Sequence, residues 1–148
     1  MSTNICYQYQ KFNVGDLILE NWKDYLDPTE KAIFESELSD YEWHIVLSDN
    51  KIVAIFQIIN VLDQYAKNLK IQFHPDFNHD DCDIISIIIF IYESMLSICE
   101  EQSIKKLKLY IDNSLIHNIF MTIATHQAEN KDIMKVKNYR KWIEIYMH

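Results

Sequence analysis

The amino-acid sequence predicts a mixed α/β fold whose sheet is mostly antiparallel, with the element order β-α-α-β-β-β-α-β-α-β-β. The composition supports a packed core, since 49% of the 148 residues are apolar and 24% are charged. β-rich runs flank short turn-forming segments in the middle and at the end of the chain, which is typical of hairpins. Two segments in the second half are predicted helices, one on its length and the other on the spacing of its apolar residues, and each lies between strands. The length fits a single domain over residues 1–148, with no linker or internal repeat.

The first quarter of the chain predicts one strand and two short helices. Residues 4–10 (NICYQYQ) are β-rich and alternate roughly, as a strand does. Residues 14–26 place apolar side chains at helical spacing. A second helix over residues 27–38 begins with a capping-box pattern, because Asp27 precedes Pro28 and Glu30 lies three positions on.

The clearest signal is a hairpin over residues 41–62. Its two β-rich runs flank the turn formers Ser48, Asp49 and Asn50. The second run leads through residues 63–68 into a third strand over residues 69–74, which Pro75 ends.

The second half predicts two helical crossovers and a closing hairpin. Residues 84–102 are assigned to a helix although their isoleucines favour a strand, because the segment is too long for an ordinary strand. A strand over residues 105–111 follows, and Asn113 can cap the next helix, which covers residues 115–127. The chain closes with a predicted hairpin around Tyr139 and Arg140.

Glycine is nearly absent, with one residue in the whole chain. Turns that need a positive φ are therefore expected to use Asn, Asp or Lys. The same shortage disfavours any chemistry that depends on a Gly-rich phosphate-binding loop.

Charge and cysteine content limit the partners and the compartment. The net charge of −8 disfavours nucleic acid and anionic membranes as partners. Lysines do gather late in the chain, and we interpret those at 105–108 as the solvent-facing side of a strand, with a nucleic-acid patch as the alternative. The three widely spaced cysteines suggest no disulfide framework. With no signal-peptide pattern and no apolar run long enough to span a bilayer, the sequence predicts a cytoplasmic protein.

Residues 74–83 (HPDFNHDDCD) concentrate metal ligands and catalytic groups in front of the long helix. No metal is predicted, because the spacing matches no zinc, calcium or two-histidine motif, although weak cation binding by the aspartates stays open. Cys82 near His79 is an alternative nucleophile site. The helix N-terminus would lower the pKa of its thiol, while the three nearby aspartates would raise it again.

The element order and the segment FHPDF together resemble the GCN5-related N-acetyltransferase (GNAT) superfamily. Phe73, Pro75, Asp76 and Phe77 stand where that family has an apolar residue, Pro, an acidic residue and an aromatic residue. As topology, the resemblance covers nearly the whole chain. It implies an acyl-CoA N-acyltransferase-like fold that uses acetyl-CoA or another acyl-CoA as donor.

The resemblance also implies which residues bind the donor. The backbone of Ile71, Gln72 and Phe73 would hold the acyl group and the pantetheine arm. Asn78 stands where the family usually has the Arg or Gln of its phosphate loop, and Asn113 matches an asparagine often found before the next helix.

The phosphate-binding loop departs from the family pattern. Asp81 and Asp83 stand where the family has Gly and Gly or Ala. A carboxylate ~5 Å from a phosphate costs roughly 3 kcal/mol at an effective dielectric near 20, so two would weaken binding by about four orders of magnitude before screening. The aspartates suit a role as caps of the following helix instead. Phe120 falls where many members have the tyrosine that protonates the departing thiolate.

Four other polar residues are candidate bases. His44 and His117 lie within strand and helix patterns and are interpreted as half-buried structural histidines. Glu42 and Glu144 lie on predicted strands and could act as bases, but the sequence does not bring them together.

Two functions follow from these observations. The first is a GNAT-like acyltransferase that moves an acyl group from acyl-CoA or an acyl carrier protein to an unknown amine. The alternative is a catalytically inactive protein of the same fold that binds a protein partner as an inhibitor or immunity-type module, or that forms a homodimer. Neither function calls for a metal, nucleic acid or a membrane.

Overall fold

The computed structural model describes residues 7–11, 28, 42–48, 51–69, 71–74 and 82–148. The predicted helices at 14–26 and 27–38, apart from helical Pro28, and the loop 75–81 lie outside these ranges. The described elements are β1 (Tyr7–Lys11), β2 (Glu42–Ser48), β3 (Lys51–Leu62), β4 (Tyr65–Asn68), β5 (Ile71–Phe73), α1 (Cys82–Glu101), β6 (Lys106–Tyr110), α2 (Ser114–Glu129), β7 (Lys135–Tyr139) and β8 (Trp142–Tyr146). This order of strands and helices confirms the predicted mixed α/β fold.

The described residues fall into two compact units, and the first comprises those up to Gln57 together with 71–74. It is antiparallel: β1 pairs with β2 from Tyr7↔Ser48 to Lys11↔His44, β2 neighbours β3, and β3 pairs with β5. The side chains of residues 43–47 are buried on both faces of β2. His44, predicted to be half-buried, is buried, and its ring stacks on Phe56 with ring centroids 5.2 Å apart; this packing fits a structural role.

The second unit comprises the described residues 58–69 and 82–148. Its strands follow the order β3-β4-β6-β8-β7. β4 and β6 pair in parallel from Tyr65↔Lys106 to Asn68↔Leu109, whereas β8 is antiparallel to both β6 and β7. The β7–β8 pair is the closing hairpin that the sequence predicts.

Helix α1 confirms the helical assignment of the isoleucine-rich segment. Its buried side chains recur at intervals of three and four residues, which is the spacing of one helix face: Ile84, Ile87, Ile88, Ile91, Tyr92, Met95, Ile98 and Cys99. On α2, Phe120 is buried, whereas Leu115 in the first turn is 58% exposed. No helix in the described ranges is long and apolar enough to cross a membrane.

The third strand of the sequence prediction is wrong in its extent. Residues 65–68, expected to be part of a connection, form β4, and β5 follows as a separate strand with a different partner. The alternating burial of Tyr65 to Asn68 is the strand signal, and the two polar side chains in that run obscured it. A turn at Asp63 and Gln64 joins β3 to β4.

The described turns with a positive φ use no glycine. They are Gln64, Ser103, Lys131 and Arg140, of which only Lys131 is a residue type that we predicted. Ser103 ends α1 in a Schellman motif, because its N–H bonds to the Glu100 carbonyl and the next N–H bonds to the Cys99 carbonyl. Lys131 ends α2 in the same way.

Candidate functional site

The parallel pair β4–β6 defines the candidate site in the second unit. Because the two strands run in the same direction, their carboxyl ends lie at one edge of the sheet, where the pairing stops at Asn68 and Leu109. Helix α2 begins directly after β6, with Asn113 as its N-cap. In α/β sheets, ligands bind outside the carboxyl ends of parallel strands where the connections diverge. This edge of the sheet is therefore the candidate ligand-binding edge.

The predicted donor-binding segment forms β5 in the first unit. Ile71, Gln72 and Phe73 are half-buried and pair antiparallel with residues 54–56 of β3. The N–H of His74 extends this pairing with a 2.9 Å bond to a β3 carbonyl. The segment is thus extended, and its role in donor binding stays a prediction.

The loop that replaces the family's phosphate cradle lies outside the described residues, and with it Asn78 and Asp81. Helix α1 begins at Cys82, so Asp83 lies in its first turn, where the predicted cap belongs. Capping by these aspartates stays a prediction. Among the described residues, no three His, Cys, Asp or Glu side chains converge to hold a metal ion.

Asn113 caps α2 as predicted. Its backbone is extended at φ −71° and ψ 121°, and its Oδ1 accepts a 3.0 Å hydrogen bond from the N–H of Ile116. The side-chain oxygen of Asn113 thus serves the helix, and a contact between Asn113 and a donor stays a prediction.

Phe120 and Tyr92 lie side by side in the core of the second unit. Both rings are fully buried, and their centroids are 6.3 Å apart. Within the described part of the chain, the Tyr92 hydroxyl has no hydrogen-bond partner. Burial raises the pKa of Tyr92 well above its usual range, so the hydroxyl stays protonated and is a weak acid.

His117 is a structural histidine rather than a base. It is buried, with Nδ1 3.1 Å from the Ile111 carbonyl oxygen and Nε2 3.0 Å from Oδ1 of Asn138. The Ile111 carbonyl can only accept, so Nδ1 carries a proton and donates to it, while Nε2 lies within hydrogen-bond distance of the Asn138 side-chain amide. Both nitrogens are therefore occupied in joining the end of β6, α2 and β7.

Glu144 on β8 is a nearly buried carboxylate whose hydrogen bonds make it a weak base. Burial alone would raise its pKa, but the hydroxyl of Tyr146, which donates at 2.7 Å, and Lys106, with Nζ at 3.2 Å, outweigh burial and hold the pKa below its usual range. Nearby Lys108 acts in the same direction. Sequence reasoning named Glu144 but missed these neighbours, because they lie on another strand or two positions along the same one.

Comparison with known proteins identifies the fold but no close relative. No protein-family model matches the chain, and no curated protein sequence matches it. Solved structures do match. A GNAT family acetyltransferase from Elizabethkingia anophelis with acetyl-CoA bound has a TM-score of 0.61 at 13% identity, covering 96% of this chain and 97% of that one.

Two further structures give the same result. The ribosomal-protein-S18-alanine N-acetyltransferase of Escherichia coli has a TM-score of 0.63 at 12% identity, with 95% of this chain and 90% of that one covered. A Bacillus subtilis acetyltransferase in complex with CoA has a TM-score of 0.61 at 9% identity, with 96% of this chain and 98% of that one covered. Likeness at this level of identity establishes architecture, and we conclude that this chain has the fold of the GNAT acetyltransferases.

Proposed function

We propose that the protein is a GNAT-like acyltransferase that moves an acyl group from a thioester donor to an amine. The observation that carries this proposal is the likeness over 96% of the chain to an acetyltransferase structure with acetyl-CoA bound. A second structure with the same fold, from Bacillus subtilis, is a complex with CoA.

The residues of this chain fit the pantetheine arm of the donor better than its pyrophosphate. An extended strand such as Ile71–Phe73 can align with the amides of the arm as with another strand. The residues expected at the pyrophosphate end of the donor are less suited to binding it. The chain's one glycine is Gly15, so every residue from His74 to Ile84 carries a Cβ, and Asp83 lies in the first turn of α1.

The proposed reaction is a direct transfer. The neutral nitrogen of the amine attacks the thioester carbonyl carbon, the C–N bond forms, and the C–S bond breaks with its electron pair leaving on sulfur. The amine loses one proton and the thiolate gains one, so the protons balance.

Side chains of the second unit favour solvent as the proton carrier. The Glu144 carboxylate has a lowered pKa, and both nitrogens of His117 are hydrogen-bonded, so neither is a good base. Phe120 has no hydroxyl, and Tyr92 is too weak an acid to protonate a thiolate. We therefore expect the rate to rise with pH as the amine itself deprotonates.

A thermal-shift experiment tests the proposal. We expect S-acetyl-pantetheine and acetyl-CoA at millimolar concentration to raise the melting temperature, since a dissociation constant below ~100 μM gives more than about 1 kcal/mol of stabilisation. An active GNAT enzyme serves as the control. Compared with that enzyme, this protein should bind acetyl-CoA much more weakly, whereas its affinity for S-acetyl-pantetheine should be reduced less. No shift with either donor would refute the acyltransferase proposal.

The double variant Asp81→Gly with Asp83→Gly separates the phosphate loop from the rest of the site. We expect it to tighten acetyl-CoA binding strongly and to leave S-acetyl-pantetheine binding unchanged. If the variant improves neither, carboxylate repulsion at the loop is not what limits binding.

A second candidate function is a fold without catalysis that acts by binding a partner. The observation that favours it is Phe120, a fully buried ring at the position where the family has its proton-donating tyrosine. Two negative results together would support this candidate over the first: a melting temperature that no donor raises, and no transfer of an acetyl group to any of a panel of amines.

A further inference from the structure

One face of the sheet in the second unit carries lysines that the proposed acyl transfer does not use. Residues directly opposite one another on paired strands point to the same side of a sheet, and every second residue of a strand shares that side. The strand registers therefore place five lysines of β4, β6 and β7 on one face, which we call the lysine face: Lys67, Lys106, Lys108, Lys135 and Lys137.

The two helices pack on the opposite face. Leu107, Leu109, Ile143 and Ile145 point to that side and are buried. Asn138, which has the same orientation on β7, bonds to a histidine of α2, and Tyr92 of α1 packs against Phe120 of α2. In the described part of the chain, the lysine face is thus the side of this sheet away from α1 and α2.

Three aromatic rings lie between the lysines and hold their ammonium groups. Nζ of Lys108 lies 4.5 Å from the ring centroid of Trp142, and Nζ of Lys106 lies 4.9 Å from that of Tyr65. Tyr146 has three ammonium groups near its ring, at 4.6 Å, 5.5 Å and 5.5 Å. Cation–π attraction of this kind keeps the lysines on the sheet instead of leaving them spread in solvent.

The face concentrates positive charge on an acidic protein. Among the residues that the structure describes, the Glu144 carboxylate is the one acidic group within these strands' lysine face, and it pairs with Lys106. Lys67 lies directly opposite Lys108 in the strand register, a like-charge arrangement that is unfavourable in a free sheet. The chain as a whole has a net charge of −8, so the positive face is a local feature and not a consequence of composition.

We propose that the lysine face binds an acidic segment of a partner protein. Lysines two positions apart on one strand lie about 7 Å apart, which is also the spacing of same-side carboxylates in an extended acidic segment. Lys106 and Lys108 form one such row on β6, and Lys135 and Lys137 form a second on β7. The side chains of Lys135 and Lys137 are exposed, so the second row is open to a partner. This proposal does not rest on acyl transfer.

The chemistry of the face favours carboxylates over nucleic acid. Single-stranded nucleic acid binds by stacking bases on free aromatic faces, whereas the rings of Tyr65, Trp142 and Tyr146 already have ammonium groups beside them. The cations are all lysines, without the bidentate arginine that planar phosphate contacts favour. The central carboxylate of Glu144 would also repel a continuous phosphate backbone.

The test measures binding of a fluorescein-labelled oligoglutamate peptide to the full chain by anisotropy, with no acyl donor present. We expect saturable binding that weakens as salt rises. The double variant Lys108→Gln with Lys137→Gln should weaken it about ten-fold, as expected for the loss of two surface ion pairs with the peptide. The charge-retaining pair Lys108→Arg with Lys137→Arg should keep the affinity, which checks that the sheet remains folded.

A matched control removes the same charge elsewhere. Lys131 ends α2 and Lys141 lies in the β7–β8 turn, paired with Asp112, so Lys131→Gln with Lys141→Gln should leave binding within about two-fold. Equal losses in the two double variants would show that only net charge matters and would overturn the proposal. Tighter binding of oligothymidylate than of oligoglutamate would also overturn it, in favour of nucleic acid. Self-association of the chain that the Lys108→Gln and Lys137→Gln variant abolishes would also overturn the proposal, because the lysine face would then bind a second copy of the chain.

Discussion

Replacing Tyr92 by phenylalanine should make the protein more stable. The hydroxyl of Tyr92 is fully buried on α1 and, within the described residues, has no hydrogen-bond partner. Burying a hydroxyl without a partner costs about 1–3 kcal/mol of desolvation, and phenylalanine fills almost the same volume without that cost. After allowance for a small cavity, we expect Tyr92→Phe to raise the free energy of unfolding by about 1 kcal/mol. For a chain of this length, that is about 2–4 °C in melting temperature.

The assay is urea unfolding at pH 7 together with calorimetry, and the matched control is Tyr146→Phe. The Tyr146 hydroxyl donates a 2.7 Å bond to the Glu144 carboxylate, so the same chemical change there should lower stability by about 1 kcal/mol. Opposite signs for the two variants would establish that the partner, not the ring, decides the effect. A loss of stability in Tyr92→Phe would refute the reasoning, because it would mean that the hydroxyl is satisfied in solution.

The raised pKa of Tyr92 adds a dependence on pH. In the unfolded chain a tyrosine ionises near pH 10, whereas in the folded state burial keeps Tyr92 protonated beyond that. The unfolded state therefore releases a proton that the folded state keeps, and stability falls as the pH rises above about 10. The advantage of Tyr92→Phe over the wild type should grow in that range, as measured by the urea midpoint at pH 9 and at pH 11.

Three further predictions concern the second unit. His117→Ala should lower stability in urea unfolding by about 2 kcal/mol, because it leaves the buried Ile111 carbonyl without its partner and breaks the contact with Asn138. His126→Ala on the exposed side of α2 should lose less than about 0.5 kcal/mol, and comparable losses would contradict the structural role of His117. Ser103→Gly and Lys131→Gly should each raise the free energy of unfolding by about 0.5–1 kcal/mol, as measured by calorimetry. The reason is the positive φ of the two residues, 58° at Ser103 and 64° at Lys131. A loss of stability in either variant would mean that the replaced side chain makes a compensating contact. The carboxyl pKa of Glu144 is lowered, so its stabilising effect is present above about pH 4.5 and disappears as the pH falls through the lowered pKa. The melting temperature of Glu144→Gln should therefore be below that of the wild type at pH 7 and equal to it near pH 2. A difference that does not change with pH would argue against the ion pair.

The elements of the fold that local sequence determines could be predicted. The isoleucine run was correctly assigned to a helix because its length outweighs its β propensity, and α1 buries every third or fourth residue of the run as one helix face. The cap at Asn113 follows from one residue type next to one helix start, and its bond to Ile116 confirms it. The closing hairpin is equally local, since its strands are joined by two residues.

Elements whose identity depends on distant partners could not be predicted in full. The sequence predicts a connection over residues 63–68 and one strand over residues 69–74. Residues 65–68 instead form β4, paired with β6 beyond α1, and residues 71–73 form β5, paired with β3. Nothing in residues 65–73 specifies two partners. The same limit applies to His117, whose pattern indicated a structural role but not the Asn138 side chain 21 positions away that satisfies it.

The lysines show why a net charge is a poor guide to a local surface. Composition argued against anionic partners, and that argument holds for encounters at long range, where the whole chain acts as one charge. Screening limits the reach of each charge to about 8 Å at physiological salt, so a partner in contact with the sheet responds to the lysines within that distance and not to acidic residues beyond it.

The alternation in residues 105–108 correctly predicted a solvent-facing side of a strand. What the sequence could not supply was the parallel pairing that puts Lys67 beside Lys108 and the two antiparallel pairings that add Lys137 on the far side of Glu144. Charge that is dispersed over more than 70 positions of sequence becomes one surface only through the order of the strands, so the sign of the contact potential is a property of the topology and not of the composition.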